Sequence, residues 1–423
     1  MRLLLLPPYF TPERQSSSLL DHHRYEAFAD AGFEMLLYTP IPTRGIDDEI
    51  REEYRKRTWE KMYNGMMTVV RYPLMKEGKN PIGRAIRYFL GFTKQYMAGS
   101  KHKDADCIFL VSTPPIQGLL GGLLKKRLNI PFVYNLQDIF PDSLVGSGLS
   151  TKGSLLWKIG RIIENYTYNS ADKIIVISED FKRNIMSKGV AKEKIEVIYN
   201  WVDEKAIVPV AKEENPLYDE LEICKDKFNV VYAGNLGNAQ NIDIIIDAAQ
   251  KLLSNQEIVF LIFGSGGLKE QYVNKVHALG VKNVRFFPLQ PIERVSQVYG
   301  LGDVCVVSCK PGLGGAAMPS KMVSIMSAGR AVAASFDEGE VTYLLKHYNC
   351  GKCAPAGDVD AFAEMILSLS ANRETCKQMG QNSRQLVLDR FTRKVGTQRY
   401  VSVIKEVVVK SKAGTQNRAS KKV

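Results

Sequence analysis

One short stretch of the chain combines residue types that suit the binding of a ligand at the start of a helix. In MPSKMVSIMSAGR, Pro319 presets the backbone of a first helical turn, Ser320 can cap that turn, and Lys321 lies near the same end. The preceding PGLGG segment contains Gly314 and Gly315, which would bring bare backbone amides close to a ligand. The sequence therefore indicates a ligand site where this helix begins.

Two glycine-containing turns follow predicted strands upstream of that helix. In AGNLG, Gly234 and Gly237 flank Asn235 and its neighbour, and would let the backbone bend tightly and approach an anion. An ordinary strand-to-helix turn has the same pattern, so both interpretations remain open. In IFGSGG, Gly264 and Gly266 lack the spacing of a dinucleotide fingerprint, and a tight turn is the favoured interpretation.

Carboxylates at strand ends are the candidates for acid–base chemistry. Asp138 follows the predicted strand FVYNL at its carboxyl end, where it is either a general base that orients a hydroxyl group or a turn cap. Asp104 and Asp106 form an Asp-x-Asp pattern, but they precede the strand CIFLVS and lie at the edge opposite to ligand sites. We interpret these two as solvated turn residues and expect catalysis without a metal ion.

A basic amphipathic helix is predicted between residues 80 and 101. Residues 51–103 contain 13 Lys and Arg but four Asp and Glu. Arg84, Arg87 and Lys94 occupy one side of the predicted helix, and apolar residues that include Phe89 occupy another. This pattern suits anionic lipid headgroups, and it equally suits a helix that packs on a core with a solvated basic face.

The elements that must position these residues alternate between strand and helix along the whole chain. Apolar runs separated by helical patterns predict a doubly wound α/β fold with parallel sheets. The chain of 423 residues is too long for one core, and the alternation pauses once, which predicts two Rossmann-like domains that face each other across a cleft. The predicted boundaries are 1–203 for the first domain, 204–227 for a linker, 228–391 for the second domain, 392–409 for a helix that packs back on the first domain, and 410–423 for a disordered basic tail.

The excess of basic residues limits the classes of partner that the protein is expected to bind. The chain has 57 Lys and Arg against 45 Asp and Glu, which favours phosphorylated metabolites, anionic lipid or nucleic acid. We see no module that reads a nucleic-acid groove, so nucleic acid is not expected. No run approaches twenty apolar residues, which predicts a cytoplasmic protein that is at most peripheral to the membrane. Cys350 and Cys353 form a C-x-x-C pattern without partners that would complete a metal site, so they are interpreted as core residues.

The ordered series of these segments resembles the retaining GT-B glycosyltransferases of family 4 over nearly the whole chain. The segments that carry the resemblance are LPPYFTPE with its serine run, STPP, QDIFPDS, ADKIIVIS, VIYNWVD, AGNLG, the turn at 264–267 and PSK with its following Ala-Gly. The similarity is greatest to bacterial capsule, O-antigen and colanic-acid transferases and to fucosamine transferases.

The resemblance implies a function for both domains. It implies that the second domain binds a nucleotide-sugar, UDP-linked, through residues near 234–237, 264–267, 312–321 and Glu340, with Lys321 as a catalytic residue. The first domain would bind a polyprenyl-diphosphate-linked saccharide near Ser16, Ser17, Ser18 and Asp138. The expected reaction retains the anomeric configuration, needs no metal or cofactor, and serves the synthesis of a surface polysaccharide at the inner face of the membrane.

The sequence departs from that family at two acidic positions. Many members have a Glu-x7-Glu pair whose second glutamate holds the ribose, whereas this chain has Ala316 and Ser324 there. Glu340 either replaces the missing carboxylate or only starts the next helix. The absence of this glutamate pair suggests an alternative function. The protein would then bind nucleotide-sugars, or act as a scaffold in a polysaccharide complex, without catalysis.

Overall fold

A computed structural model of the chain describes residues 1–13, 18–78, 80–146, 150–316 and 318–420. The chain divides into two compact units. The first contains Met1–Ile198 and the chain from Gly396 onward, and the second contains Tyr199–Val395. Each unit has parallel strands that alternate with helices, as the sequence predicted.

The first unit is built on one eight-stranded sheet. Its strands are β1 (Arg2–Leu5), β2 (Glu34–Pro40), β3 (Trp59–Met62), β4 (Met67–Tyr72), β5 (Cys107–Val111), β6 (Phe132–Leu136), β7 (Lys173–Val176) and β8 (Ile195–Val197). They lie in the order β3-β4-β2-β1-β5-β6-β7-β8, and only β3 runs antiparallel to its neighbour. The central strands are apolar runs whose side chains are buried on both faces, as in other parallel sheets.

Helices cover both faces of this sheet. They are α1 (Ser18–Asp30), α2 (Asp48–Lys56), α3 (Pro81–Gly99), α4 (Ile116–Leu128), α5 (Asp142–Gly146), α6 (Leu155–Ser170) and α7 (Glu179–Ser187). The helices α3, α4 and α6 connect parallel strands that follow one another in the same direction across the sheet. Because such crossovers are right-handed, the three helices share one face, and α4 contacts both α3 and α6.

The second unit is a six-stranded sheet in which every pair is parallel. Its strands are β9 (Phe228–Asn235), β10 (Ile258–Ser265), β11 (Val284–Phe287), β12 (Val304–Ser308), β13 (Ala331–Phe336) and β14 (Gly351–Pro355). The order β11-β10-β9-β12-β13-β14 reverses direction between β9 and β12. A reversal of this kind opens a crevice at the carboxyl ends of the strands, which is where doubly wound sheets bind ligands.

The helices of the second unit fill both faces of its sheet. They are α8 (Leu217–Glu220), α9 (Asp243–Lys251), α10 (Lys269–Leu279), α11 (Val295–Gly300), α12 (Ser320–Ser327), α13 (Glu340–His347), α14 (Val359–Ser370) and α15 (Arg373–Arg390). Two buried apolar clusters lie on the two faces, one around Phe260 and Ile246 and the other around Phe263 and Met322.

The segment 204–227, expected as a linker, packs on the second unit. Leu217 and Tyr218 are buried in the cluster around Phe263, and the Asn215 side chain donates a hydrogen bond of 2.7 Å to the Gln297 carbonyl. The segment includes the short helix α8, whose first two residues are these buried side chains. Its apolar side chains make it part of the unit.

The last helix, α16 (Arg393–Ser420), returns to the first unit. Tyr400 is fully buried there, and its hydroxyl donates a hydrogen bond of 3.0 Å to Asn135 Oδ1 on β6. The helix continues to Ser420, through most of the segment 410–423 that was expected to be a disordered tail. No proline interrupts this segment, which allows the helix to continue.

Candidate functional site

The predicted ligand residues of the second unit gather at the carboxyl edge of its sheet. Gly234 and Asn235 end β9, and Gly264 ends β10 in direct register with Gly234. The segment after β12 leads through a single 3-10 turn, Gly314–Ala316, towards α12. Parallel strands bring their carboxyl ends to one edge, and this edge therefore collects the glycine turns and the start of α12.

Lys321 reaches from α12 to the first glycine turn. Its Nζ donates a hydrogen bond of 2.6 Å to the Tyr232 hydroxyl, which in turn donates one of 2.7 Å to the Asn235 carbonyl. Gly234 has a φ of +147°, and a Cβ at this position would lie 2.8 Å from the Lys321 ammonium. The backbone conformation favours glycine here, and the absence of a side chain leaves room for the lysine ammonium.

The electrostatics of Lys321 are unusual for a lysine. Its ammonium lies 3.8 Å from the centre of the Tyr232 ring, and burial lowers its pKa to about 7. Within the described part of the chain, Lys321 forms no ion pair with a carboxylate. A buried ammonium that lacks a counter-ion attracts an anionic ligand, since such a ligand would restore its charged form.

The start of α12 differs in detail from the prediction. Pro319 occupies the N-cap position without a side-chain hydrogen bond, and Ser320 is the first helical residue rather than the cap. Ser324 is half-buried one turn later, and its hydroxyl donates a weak hydrogen bond of 3.4 Å to the Ser320 carbonyl. This position therefore carries a small hydroxyl group and no carboxylate.

The glycine-rich approach to α12 is held by an aspartate. One oxygen of Asp337, Oδ2, accepts hydrogen bonds of 2.8 Å from the amides of both Gly312 and Gly314. A Cβ on Gly314 would lie 2.8 Å from the Asp337 Cβ. The Gly314 amide, which we expected to face a ligand, is therefore occupied by Asp337, while Gly315 is exposed in the next position.

Glu340 begins α13, as one of its two interpretations required. Its side chain is buried, and the Tyr199 hydroxyl donates a hydrogen bond to its Oε1 atom.

The glycine turns after β9 and β10 pack closely against neighbouring atoms. A Cβ on Gly237 would lie 2.7 Å from the Asn235 amide nitrogen and would displace that side chain. A Cβ on Gly266 would lie 2.5 Å from the Leu236 carbonyl oxygen, a backbone atom that cannot shift easily.

Asp138 lies in the first unit at the carboxyl end of β6. Its Oδ2 atom accepts a hydrogen bond of 3.0 Å from the Ser143 hydroxyl, and its backbone amide donates one of 3.2 Å to Ser112 Oγ. Burial raises the pKa of the Asp138 carboxyl, which suits a proton acceptor. Lys321 and Asp138 belong to different units, so the structure of either unit alone does not combine them.

The serine run of the predicted acceptor site lies mostly outside the described residues. Ser16 and Ser17 are not described, and Ser18 is the first residue of α1. Nearby, Glu13 is buried, and its Oε1 atom accepts hydrogen bonds of 2.7 Å and 2.8 Å from the Thr43 and Arg44 amides. Hydrogen bonds from the Thr43 and Arg44 amides to Glu13 therefore fix the loop after β1 just before the serine run begins.

The predicted membrane residues of α3 divide between surface and interior. Arg84, Phe89 and Lys94 are exposed, as a surface role requires. Arg87 is 1% exposed, its guanidinium donates a hydrogen bond of 2.7 Å to Thr43 Oγ1, and it lies 3.9 Å from Glu77. The assignment of Arg87 to a lipid-facing surface was wrong, because its guanidinium is buried in the first unit, where it meets Thr43 and Glu77.

The remaining sequence candidates lie apart from these sites. Asp104 pairs with Arg2, and Asp106 accepts a hydrogen bond of 2.8 Å from the Arg2 amide at the amino end of β5. Cys350 is buried and Cys353 is exposed, and both are free thiols. In the part of the chain that the structure describes, no three His, Cys, Asp or Glu residues are grouped to hold a metal ion, and no helix is long and apolar enough to cross a membrane.

Three residues of these sites were missed in the sequence. Tyr232 is one residue of an apolar strand, and Asp337 lies between a strand and a glycine. Tyr199 lies in VIYNWVD, the last segment of the predicted first domain. The position of Asp337 just after a buried strand was a usable signal, because the carboxyl end of a strand is where ligand loops are held. The other two had no signal beyond their type.

Comparison with protein families divides the chain in a similar way. Residues 22–206 match the family described as Glycosyltransferase Family 4, and residues 216–386 match the family described as Glycosyl transferases group 1. Among curated proteins, the chain is 29% identical over 340 residues to the putative colanic acid biosynthesis glycosyl transferase WcaI of Escherichia coli, which covers 78% of this chain and 82% of that protein.

A second relative is similar in sequence over most of the chain, and one solved structure shares its fold. The chain is 25% identical over 331 residues to the probable glycosyltransferase WbjE of Pseudomonas aeruginosa, with coverage of 77% of this chain and 80% of that protein. It shares its fold with HepE of Anabaena, solved in complex with UDP, at a TM-score of 0.71 and 17% identity over 96% of this chain and all of that one.

Proposed function

Because the chain is a glycosyltransferase with the GT-B fold, we propose that it transfers a hexose or an N-acetylaminosugar from a UDP-linked donor to a polyprenyl-diphosphate-linked saccharide. The transfer would retain the anomeric configuration, would need no metal ion, and would contribute to a surface polysaccharide. The relative named for colanic acid biosynthesis and the structural neighbour solved with UDP support this choice of pathway and donor.

The observation that carries the proposal is the half-buried ammonium of Lys321, which contacts Tyr232 and has no carboxylate partner among the described residues. A nucleotide-sugar leaves its sugar as a nucleoside diphosphate, so negative charge develops on the phosphate next to the broken bond. A cation placed at the start of α12 stabilises that charge, and the helix dipole acts in the same direction. Lys321 has the required proton donors, because Tyr232 accepts only one of its three hydrogen bonds.

The two glycine turns provide the room that the donor needs. Gly234 and Gly264 lie side by side in register, and neither has a side chain that would cover the edge of the sheet. Asp337 keeps the 312–314 backbone close to α13, which leaves Gly315 and the first turn of α12 beside the lysine. We assign Ser324 and Glu340 to the nucleoside side of this site, where Ser324 would leave space and Glu340 would act through Tyr199.

In the first unit, Asp138 is the group that we assign to the acceptor. A carboxylate whose pKa is raised by burial can accept a hydrogen bond from the acceptor hydroxyl group and orient it. The Ser143 hydroxyl and the Ile139 amide both donate hydrogen bonds to the Asp138 carboxylate and would hold it in place while it meets the acceptor. Arg84, Phe89 and Lys94 would place this unit on the membrane that carries the lipid-linked substrate.

The test is the release of nucleoside diphosphate by purified protein supplied with a membrane lipid extract and a panel of nucleotide-sugars. We expect one UDP-sugar to be consumed only when the lipid extract is present. The Lys321→Ala variant should lose this activity, and Lys346→Ala, which removes an exposed lysine from α13, should keep it. No release with any donor, together with no binding of UDP in calorimetry, would refute the proposal.

A further inference from the structure

The first unit exposes a second apolar stripe that lies outside the basic helix α3. On α6, Leu155 is 75% exposed and Ile162 is 68% exposed, and Leu156 and Ile159 are exposed beside them. Leu155, Ile159 and Ile162 recur at intervals of four and three residues, which places them on one side of the helix. Gly160 and Glu164 are buried on the opposite side. The stripe therefore points away from the sheet.

The outward side of α3 has the same character. Phe89 is 64% exposed and Met97 is 61% exposed, and Ile86 and Leu90 lie on the same stripe. The buried Arg87 marks the opposite side, which faces the sheet. Each of these two helices thus presents a row of large apolar side chains to solvent, although single exposed apolar residues are the usual case on a protein surface.

The two stripes belong to one layer. The helices α3, α4 and α6 cover the same face of the first sheet, and α4 lies between the other two because it contacts both. All three connect parallel strands, so they run roughly parallel to one another. A flat surface placed on this layer would meet the outward sides of α3 and α6 together.

The charge of the layer determines which surface fits. Together α3, α4 and α6 contain eight Lys and Arg residues and one acidic residue, Glu164. Glu164 is buried and pairs with Lys188 at 2.8 Å and with Arg161. The exposed charges of this layer are therefore all positive, and they include Lys94, Lys126 and Lys158.

We propose that the outward sides of α3 and α6 form one docking surface for an anionic lipid bilayer, in which α6 supplies as much apolar contact as α3. Apolar side chains that enter the acyl boundary by about 5 Å, with lysines at headgroup level, are the arrangement of interfacial amphipathic helices. This inference rests on the proposed function, because a lipid-linked acceptor requires such a surface, but it specifies the element and the orientation.

The experiment measures co-sedimentation of the full chain with vesicles of phosphatidylglycerol and phosphatidylcholine, and with vesicles of phosphatidylcholine alone. The variants are Leu155→Gln/Ile162→Gln on α6 and Phe89→Gln/Met97→Gln on α3. The control is Leu367→Gln/Leu388→Gln, which changes two exposed leucines of the second unit. We expect each of the first two to weaken binding to the mixed vesicles about tenfold, and the control to bind as the wild type does.

The outcomes separate this inference from the proposed function. Vesicle binding by the α6 variant that equals that of the wild type would overturn it, as would a wild type that ignores anionic vesicles. A wild-type dimer that the α6 substitutions dissociate, without any vesicle binding, would assign the stripe to a second copy and would also overturn it. Calorimetry with UDP measures donor binding separately, so failure of the proposed function can be distinguished from failure of this inference. If thermal unfolding shows that Leu155→Gln/Ile162→Gln is unstable, the single variant Ile162→Gln replaces it.

Discussion

At the scale of a single residue, Lys321 should give the proposed donor site a dependence on pH. Burial lowers the pKa of its ammonium to about 7, so the free protein holds the charged form below that pH and the neutral form above it. The affinity for a diphosphate should therefore be highest below pH 7 and should fall as the pH rises. The loss is limited to one charge-assisted hydrogen bond, about 1.5–3 kcal/mol or roughly 10- to 150-fold in Kd.

Calorimetry with UDP-glucose as the probe checks this, because its diphosphate has no group that titrates near neutral pH. Tyr232, the partner of Lys321, does not interfere, since burial raises the pKa of its hydroxyl further above the tested range. The Lys321→Ala variant should bind weakly and without this pH dependence. A wild-type Kd that stays constant between about pH 6 and 9 would show that Lys321 does not meet the diphosphate.

Asp337 is a positioning residue, and its substitution should change donor binding without loss of the fold. In Asp337→Ala the amides of Gly312 and Gly314 lose their shared acceptor, at a cost of about 1–3 kcal/mol, and the loop before α12 loosens. We expect the KM for the donor to rise about tenfold with a smaller change in kcat. Asp337→Asn should recover part of this, since its carbonyl oxygen can accept both hydrogen bonds.

The exposed neighbour Glu338 provides the matched control, because Glu338→Ala removes the same charge without touching the loop. A general effect of charge near the site would appear in both variants. Equal kinetics in Asp337→Ala and Glu338→Ala would mean that the loop does not depend on its aspartate.

At the scale of elements, α16 joins the end of the chain to the first sheet. Tyr400 is fully buried against Phe109 and donates its hydrogen bond to Asn135 on β6. Tyr400→Phe should lower the free energy of unfolding of the first unit by about 1 kcal/mol, and Tyr400→Ala by about 3–5 kcal/mol. Hydrogen exchange of the β6 amides in urea measures this unit separately from the second one.

The exposed Tyr343 on α13 is the control, since Tyr343→Ala removes the same side chain where it has little contact. If Tyr400→Ala leaves the exchange of β6 amides unchanged, α16 does not stabilise that strand.

Long apolar strands could be predicted from the sequence, and so could the apolar edge strand β11, whereas the other three edge strands could not. Runs such as FVYNL and FNVVY are buried on both faces, and burial on both faces is what produces a continuous apolar run. The strands β3, β8 and β14 lie at sheet edges, where WEKM needs no apolar pattern and GKCAP can end in proline. Pairing with a neighbour, rather than local composition, makes these segments strands.

Of the candidate site, the contacts that follow from sheet topology could be predicted, and those between loops could not. The meeting of Gly234 with Lys321 follows from parallel topology, since both follow strand ends at one edge. The occupation of the Gly314 amide by Asp337 depends on the close approach of two loops, and the burial of Arg87 depends on which side of α3 meets the sheet. Neither fact is encoded in residue spacing.

At the scale of the whole molecule, the two units carry different chemistry. The net charge of +12 is not spread evenly, because the layer of α3, α4 and α6 in the first unit contributes seven of these charges, eight cations less one acid. The second unit contains the buried ammonium and the glycine turns. In the function that we propose, the first unit binds the lipid-linked acceptor and the second binds the nucleotide.

This division predicts where a nucleotide changes hydrogen exchange in the full chain. UDP at about one hundred times its Kd adds roughly 2.7 kcal/mol to the stability of the unit that binds it. Protection should therefore appear in the second unit, first at the segments that hold the glycine turns and Asp337, namely 234–241, 310–316 and 337–340. Lys321→Ala should reduce this protection at the same UDP concentration, and Lys346→Ala should not. Protection confined to the strands of the first unit would reverse the assignment of the two substrates, because stabilisation by mass action follows the unit that contains the ligand.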